Sequence, residues 1–328
     1  MQNNEIRKPY TTINAYKTYF LVFVMMLIFS TLIAMITVIL AGTFGITLEE
    51  LQNNTIFTYC QYLLSPIMFL LIFVIVNRKK EYNTMEMLGA NNRVKPLYIL
   101  LAIGMSVFAI VFFSQFASMF DLLLEKINFN PSDDLNVNNN TVGYLLLNTL
   151  VIAIMPAVFE ELIFRGIIFK SLEKEHSPTT AILLSALMFS LMHGSLQQTV
   201  FQFILGVVLG YVMYATGNII YPMITHFFNN FLIIFIDFMS KSGVVDAGQT
   251  TPTGVLPYII ATILAIIGTV CLIFIIRASI KAKQKTTEVG VYKNFKTYSV
   301  DEKRYVYWSF GLCIAIWIIN TISMFGGN

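Results

Sequence analysis

PAVFEELIFRG, from Pro156 to Gly166, is the stretch that decides how this chain must fold. It places Glu160, Glu161 and Arg165 inside a run, Val142 to Phe169, whose other members are almost all apolar or small. A run of this length crosses a bilayer as a helix, and each ionisable group at bilayer depth costs at least about 2.5–3.5 kcal/mol. Such groups persist where they pair, face a water-filled cavity or take part in chemistry. The stretch therefore predicts a membrane-embedded polar site around two adjacent glutamates.

The composition indicates a polytopic membrane protein. Of the 328 residues, 56% are hydrophobic and only 12% are charged, whereas a soluble domain carries about 25% charged residues. The mean hydropathy is +0.71. Cys60, Cys271 and Cys313 lie singly in different apolar segments, which excludes a CxxC metal site and argues against a disulfide framework. The sequence contains no nucleic-acid-binding motif and no glycine-rich phosphate loop, so we expect no nucleic-acid partner.

Nine apolar windows are long enough to span a membrane. They fall at about 18–41, 56–76, 97–120, 142–169, 179–197, 199–216, 218–236, 257–276 and 305–325. The window at 199–216 is the least distinct, so we predict an all-α, polytopic transmembrane bundle of eight or nine helices. The segment 81–95, between the second and third windows, fits a short interfacial helix or a solvated loop equally well.

Charged residues set the orientation of these helices. Basic residues lie before the first helix and after the second, fourth and eighth, among them Arg7, Lys8, Lys17, Arg78, Lys79, Lys80, Arg93, Lys95, Lys170, Lys174 and the many Lys and Arg of 277–304. The opposite loops are acidic, with Glu49, Glu50, Asp121, Glu125, Asp133 and Asp134. Because nine alternating helices satisfy the positive-inside rule throughout, we expect an integral, multi-pass protein with a cytoplasmic N-terminus. Richness in Ile, Asn and Lys is typical of an AT-rich bacterium, which would place the protein in a bacterial plasma membrane.

Three polar clusters interrupt the apolar windows, and the first is that of the two glutamates. Glu161 and Arg165 are one helical turn apart and share a face, whereas Glu160 points about 100° away. We therefore interpret Glu161 and Arg165 as a neutralising pair and expect Glu160 to face a cavity. Pro156 lies one turn before Glu160 and lacks a backbone N–H, so we expect the helix to kink or open there.

The other two clusters are Phe189–His193 and His226–Asn230, whose end residues are each one turn apart. Pro222 lies one helical turn before His226, as Pro156 lies one helical turn before Glu160. At ~1.5 Å per residue, Glu160 and the second cluster's histidine lie roughly 21 Å from the cytoplasmic ends of their helices, and the third cluster roughly 12–18 Å. Each cluster alone fits a hydrogen bond between helices, but their convergence near mid-membrane favours an active site.

These side chains suit the hydrolysis of an amide bond. Glu160 could deprotonate a water that His193 holds, while His226 and Asn230 present two donors to the developing oxyanion. No serine or cysteine in the clusters has an obvious partner base, so we do not expect a covalent nucleophile. Glu160, His193 and His226 also form a plausible zinc ligand set, and spacing across three helices does not distinguish a metal from a held water. Zinc therefore stays open as a cofactor.

The three motifs also resemble those of a known family. Glu-Glu-x-x-x-Arg at 160–165, Phe-x-x-x-His at 189–193 and His-x-x-x-Asn at 226–230 are similar to the motifs of the CPBP group. This group contains the CAAX-protease and bacteriocin-processing intramembrane peptidases related to the type II CAAX prenyl endopeptidase. The run GNIIYPMITHFFNN at 217–230 looks typical of its bacterial members.

The resemblance covers about 142–236, which we interpret as a CAAX-protease-like catalytic core. The flanking segments 1–141 and 237–328 are then N-terminal transmembrane helices and C-terminal transmembrane helices with a basic cytoplasmic loop. The resemblance implies an all-helical membrane core whose site opens toward the cytoplasm. It also implies a role for each matching residue: Glu160 activates water, His193 is its partner, His226 and Asn230 stabilise the oxyanion, and Glu161, Arg165 and Phe189 support the site.

Two functions follow as hypotheses. The first is an intramembrane endopeptidase, dependent on glutamate or on metal, that acts on a membrane-associated protein or peptide within the lipid bilayer. The second is a catalytically silent scaffold of the same architecture, such as a bacteriocin-immunity or regulatory protein. The intact motifs favour the enzyme, because a scaffold has no evident need for a glutamate in lipid. A proton-coupled transporter is less favoured, since inverted repeats are not apparent in the sequence.

Overall fold

The architecture is that of a helical bundle. The computed structural model describes residues 10–78, 87–127, 129, 137–242, 270, 273–274, 277 and 298–325. Within these ranges the chain is almost entirely helical and contains no strand. The predicted all-α bundle is confirmed. The predicted span at 257–276 lies almost wholly outside the described residues.

The helices follow the predicted windows closely. In chain order they are α1 (Thr12–Phe44), α2 (Leu48–Gln52), α3 (Thr55–Asn77), α4 (Pro96–Lys126), α5 (Val142–Glu173), α6 (Pro178–Met192), α7 (Leu196–Thr216), α8 (Ile220–Lys241) and α9 (Val300–Phe325). Among the described residues, six helices are long and apolar enough to cross a membrane, namely α1, α3, α5, α7, α8 and most of α9. Helix α6 and the Pro96–Val107 part of α4 are apolar but shorter.

Helix α5 departs from regular α-helical geometry on both sides of the two glutamates. Its α-helical turn Met155–Glu161 is flanked by two wider π-helical segments, Thr149–Ile154 and Leu162–Phe169. Such π segments are rare and occur often at functional sites. The irregularity expected at Pro156 is therefore present, but it extends over more of the helix than one missing hydrogen bond accounts for.

The predicted helix at 179–197 is wrong at its C-terminal end. Helix α6 ends at Met192 and α7 begins at Leu196. Between them Gly194 has φ 70°, a left-handed conformation that glycine adopts at little cost and that commonly ends helices. The two helices therefore form a tight hairpin, and His193 lies at its tip rather than inside a helix.

The two prolines that precede the glutamate and histidine clusters act differently. Pro156 lies within α5, where its missing N–H leaves a carbonyl without its usual α-helical donor. Pro222 lies in the first turn of α8, where a backbone N–H has no intrahelical acceptor in any case. The repeated spacing in the sequence is thus not a repeated structural device.

Helix α5 is the central element of the bundle and packs against α1, α3, α6, α7 and α8. In its C-terminal half, Ile163, Phe164 and Ile167–Phe169 are 0% exposed. They belong to one apolar core to which α1, α3, α6, α7 and α9 also contribute. The proposed domain boundaries stay a prediction; what the packing shows is that the polar stretch lies in the middle of the molecule.

Candidate active site

Glu161 is the hub of a buried ionic cluster. Arg165 Nη1 donates to Glu161 Oε1 at 2.8 Å, and both side chains are 0% exposed. His226 Nδ1 lies 2.9 Å from the same oxygen. The pair predicted from the spacing of Glu161 and Arg165 is therefore confirmed, and the glutamate also joins α5 to α8.

Arg165 extends this cluster to α7. Its Nη2 donates to the backbone carbonyl of Gly206 at 3.1 Å, and its guanidinium lies 4.5 Å from the centre of the Phe189 ring. A Cβ on Gly206 would come within 3.0 Å of Ala186, so the glycine allows α6 and α7 to pack closely. One arginine thus bonds a carboxylate, a carbonyl and an aromatic face from three helices.

Glu160 has the opposite environment. Its side chain lines a cavity of about 470 Å³ and the residue is 7% exposed. It makes no hydrogen bond or ion pair with any other residue in the described parts of the chain. The expectation that Glu160 faces a cavity is confirmed, and the two neighbouring carboxylates differ as helical phase predicts.

His193 approaches the same cavity from the tip of the α6–α7 hairpin. Its Nδ1 lies 2.9 Å from the Phe189 carbonyl, and because a carbonyl only accepts, Nδ1 must carry the proton. In the neutral ring, Nε2 is then an acceptor, and the residue lines the cavity. The Phe189 ring packs edge-on against His193 and His226, with centroids 5.0 and 5.9 Å apart, and so separates the two imidazoles.

His226 is held by a carboxylate rather than by a carbonyl. Its Nδ1 donates to Glu161 Oε1, which fixes the ring orientation, and the residue lines the same cavity as Glu160. His226 thus has a charged acceptor at Nδ1, whereas His193 has a neutral backbone carbonyl. The two histidines are therefore chemically distinct.

Asn230 connects α8 to the irregular part of α5. Its Nδ2 donates to the Ile152 carbonyl at 3.1 Å. In a regular α-helix the N–H of residue 156 would donate to this carbonyl, but Pro156 has no N–H. Its Oδ1 accepts from Asn229 Nδ2 at 3.3 Å. Asn230 also lines the cavity, so one of its two amide hydrogens is used in the scaffold and the other is available.

The cavity wall includes residues that the motifs did not indicate. They come from α3, α4, α5, α7 and α8: Tyr62, Ser65, Pro66, Phe120, Val151, Ile152, Pro156, Gln197, Gln198, Val200, Phe201, Gln202, Ile233 and Ile234. A signal for some of them was present in the sequence, because three glutamines at the start of an apolar span are costly unless they face polar groups. The α3 and α4 contributions had no such signal.

The three residues predicted as zinc ligands are not placed to hold one metal ion together. Among the residues that the structure describes, no group of three or more His, Cys, Asp or Glu side chains is placed to hold a metal ion. Glu160, His193 and His226 share a cavity but do not form such a group. We therefore derive no step through a metal, and the zinc alternative stays a prediction.

Comparison with known proteins agrees with the motifs. Residues 142–232 match the family model described as type II CAAX prenyl endopeptidase Rce1-like. No curated protein and no solved structure matches the chain. The family match covers all three polar clusters and confirms the resemblance to the CAAX-protease family. Together with the six apolar helices among the described residues, it fits an integral membrane protein whose segment 142–232 is similar to a protease family.

Proposed function

We propose that the protein is an intramembrane endopeptidase that hydrolyses a peptide bond of a membrane-associated protein or peptide by water that Glu160 activates. The observation that carries this proposal is the contrast between two adjacent carboxylates. Glu161 is fully buried and neutralised by Arg165 and His226, whereas Glu160 faces a cavity without a partner among the described residues. An unpaired carboxylate in a membrane helix is a cost that catalysis explains and scaffolding does not.

In the first step, a water in the cavity lies between Glu160 and His193. One water proton moves to the Glu160 carboxylate while the other is held by His193 Nε2, which the Phe189 contact leaves as an acceptor. The water oxygen forms a bond to the carbonyl carbon of the substrate, and the carbonyl π electrons move to its oxygen. General base catalysis of this kind contributes about 10²–10⁴-fold to a rate.

The developing oxyanion receives hydrogen bonds from His226 Nε2 and from the second amide hydrogen of Asn230. Donation from Nε2 requires His226 to carry both ring protons, since Nδ1–H is already bonded to Glu161. In that state Glu160, Glu161, Arg165 and His226 carry two negative and two positive charges.

In the second step, the tetrahedral intermediate collapses. The C–N bond breaks as the Glu160 carboxylic acid returns its proton to the leaving nitrogen. The oxyanion re-forms the C=O bond, so the products are a carboxylic acid and an amine; the acid then gives its proton to the amine or to solvent, and Glu160 is again ionised. No covalent enzyme intermediate and no redox partner is required.

The test is a search for cleaved proteins in cells that express the wild type or Glu160→Gln. The amide keeps the size of the carboxylate but cannot accept the proton. We expect peptide termini that appear with the wild type to be lost in Glu160→Gln at equal expression, and a synthetic peptide spanning such a site to be cleaved about 10²–10⁴-fold more slowly by the purified variant. Glu49→Gln, an exposed change of the same type, should behave as wild type.

The scaffold alternative makes the opposite prediction. If Glu160→Gln retains both the cellular phenotype and any detected cleavage, the enzymatic proposal is wrong. Metal analysis of the purified protein, with activity measured in chelator, tests the cofactor separately. Activity without bound metal supports the glutamate mechanism, and loss with rescue by zinc contradicts it.

A further inference from the structure

The cavity lies on one side of the catalytic groups only. In α5 its lining residues are Val151, Ile152, Pro156 and Glu160, all at or before the glutamate. In α8 they run from His226 onward, to Ile234. The α5 residues lie away from Lys170 and Lys174 at the end of that helix, whereas the α8 residues lie in the middle of Ile220–Lys241 and none is in the first turn after 217–219.

The other three walls of the cavity follow the same rule. Its residues in α3 are Tyr62, Ser65 and Pro66, toward the end that follows Glu49 and Glu50 rather than the end at Arg78. In α4 the cavity is lined by Phe120, near Asp121 and Glu125, and in α7 by 197–202, next to the hairpin tip. Five helices therefore place the cavity on the side of the acidic loops, which we call the acidic side. The opposite side, with Arg78, Lys170 and Lys174, is the basic side.

On the basic side the site is closed by packed side chains. The segment 87–95 that precedes α4 begins with two helical residues, Met87 and Leu88, and continues as a loop. Its Leu88 is 3% exposed. It lies directly on Gly166, where an added Cβ would come within 2.4 Å of Leu88 Cδ2. Gly166 follows Arg165 in the chain, and both residues are buried. The ionic cluster is therefore covered on the basic side by Leu88, a residue outside the three sequence motifs.

This loop is fixed to the turn between α7 and α8 by several hydrogen bonds. The Leu88 carbonyl accepts from Ile219 N–H at 2.9 Å, and Asn92 Nδ2 donates to the Gly217 carbonyl at 3.0 Å. At Gly89, which has φ 61°, an added Cβ would lie 1.8 Å from the Gly217 carbonyl oxygen. The two backbones therefore meet without room for a side chain, which makes the closure rigid.

We propose that the substrate peptide reaches Glu160 from the acidic side. The positive-inside rule assigns this side to the extracytoplasmic face of the membrane. This inference rests on the proposed function and specifies its substrate class: a peptide segment presented in the outer half of the membrane, such as that of a secreted or surface-anchored protein. A cytoplasmic C-terminus would have to pass the Leu88 closure. The direction is opposite to the cytoplasmic opening that the family resemblance implies.

The wall of the cavity carries groups suited to a peptide main chain. Gln198 and Gln202 are one turn apart on α7, and both line the cavity. The Gln202 Oε1 atom is buried and has no hydrogen-bond partner among the described residues. An unwound segment in a membrane needs donors and acceptors for its freed N–H and C=O groups, and carboxamide side chains supply both. This adjacent polar wall supports entry of an extended peptide at this end.

Thiol accessibility tests the direction of entry without any need for activity. Cys60, Cys271 and Cys313 are first replaced by alanine, and then Ser65→Cys, in the cavity wall, or Ala90→Cys, on the exposed part of the loop, is introduced. Intact cells are treated with a small, membrane-impermeant methanethiosulfonate, and remaining thiols are counted after permeabilisation. We expect Ser65→Cys to react in intact cells and Ala90→Cys to react only after the membrane is opened.

Two outcomes overturn the proposal. If Ser65→Cys reacts only after permeabilisation, or does not react in either condition, the cavity does not open to the outside. If Ala90→Cys reacts in intact cells, the basic side is not cytoplasmic. Both readouts are independent of Glu160: a loss of the proposed protease activity would leave the labelling result in place, and a failed labelling pattern would leave cleavage by the wild type unaffected.

The same direction predicts where cleaved bonds lie. Among peptide termini that depend on Glu160, we expect those in extracytoplasmic or outer-leaflet segments to predominate. Cleavage confined to cytoplasmic segments would contradict the entry route while leaving the hydrolytic function supported.

Discussion

Two neighbouring regions of α5 differ sharply, although they begin one residue apart. On the basic side of the glutamate pair, Glu161 and Arg165 are fully buried and bonded to α7 and α8. On the acidic side, Glu160 faces a cavity and its helix is opened at Pro156. The packed region holds three helices together, and this fixed frame allows the adjacent carboxylate to stay unpaired.

The largest expected effect on folding comes from breaking the packed region. Arg165→Met removes a buried charge and leaves Glu161 with His226 as its remaining partner. Loss of one member of a buried ion pair costs about 3–5 kcal/mol of stability. We expect a large fall in the midpoint of thermal unfolding in detergent. Arg304→Met is the matched control, because its contact with Asp301 is exposed and 3.7 Å long, and should change the midpoint little. Equal midpoints for the two variants would show that the buried cluster does not stabilise the frame.

How far the sequence predicts this contrast depends on the range of the interactions. Helical phase is a local property, and it predicts that Glu161 is paired while Glu160 faces a cavity. The structure confirms both environments. The partner of His226 does not follow from phase. The sequence grouped His226 with Asn230, but the structure bonds it to Glu161 on another helix, and tertiary contacts of this kind are not visible in spacing.

The misplaced end of α6 has a simpler cause. An apolar run continues through His193 and Gly194, so hydropathy alone extends the helix, while the left-handed conformation at Gly194 ends it. Leu88 and its contact with Gly166 could not be predicted, because nothing in the loop sequence indicates that it folds back onto the core. The fold class and the three clusters were thus readable from the sequence, whereas the side from which the cavity opens was not.

The loop that closes the basic side gives the next largest effect. Gly89→Ala forces a Cβ to within 1.8 Å of a backbone oxygen in addition to the cost of its positive φ. Gly45→Ala is the matched control, since Gly45 has φ 64° but nothing within 4 Å of the added Cβ. Both pay about 1–2 kcal/mol for the left-handed conformation, and overpacking adds about 1–3 kcal/mol at Gly89 alone. Unfolding midpoints that fall equally would mean that the closure is not tight.

The acidic side is tested by the bond between Asn230 and Ile152. Asn230→Leu leaves the Ile152 carbonyl without this donor, at a cost of about 1–3 kcal/mol if the group stays buried. Pro156→Ala returns the missing backbone N–H, so the double variant should lose less stability than the sum of the single variants. A double-mutant cycle on unfolding free energies measures this coupling. Strict additivity would show that the asparagine does not replace the donor that proline removes.

The smallest effect is expected outside the membrane on the acidic side, at the helix α2. There the pKa of Glu50 lies below its ordinary value, first because the backbone N–H of Thr47 donates to its carboxylate at 2.7 Å and second because the Thr47 hydroxyl does so at 3.0 Å. A carboxyl whose pKa is lowered by folding stabilises the folded form above its unfolded pKa, and this contribution is lost as the pH falls through the folded pKa. Acidification below about 4.3, the ordinary value, should therefore loosen α2.

Amide hydrogen exchange over Leu48–Gln52, corrected for intrinsic rates, measures that loosening. In the wild type, protection should decrease between neutral pH and pH values below the ordinary glutamate pKa. Glu50→Gln keeps a side chain that can complete the capping box but removes the titration, so its protection should not change over the same range. The same loss in both proteins would mean that acid acts elsewhere, for example through Glu49. Protection that depends on Glu50 would show a carboxylate outside the membrane held ionised by two hydrogen bonds, in contrast to Glu160, which has no such partner among the described residues.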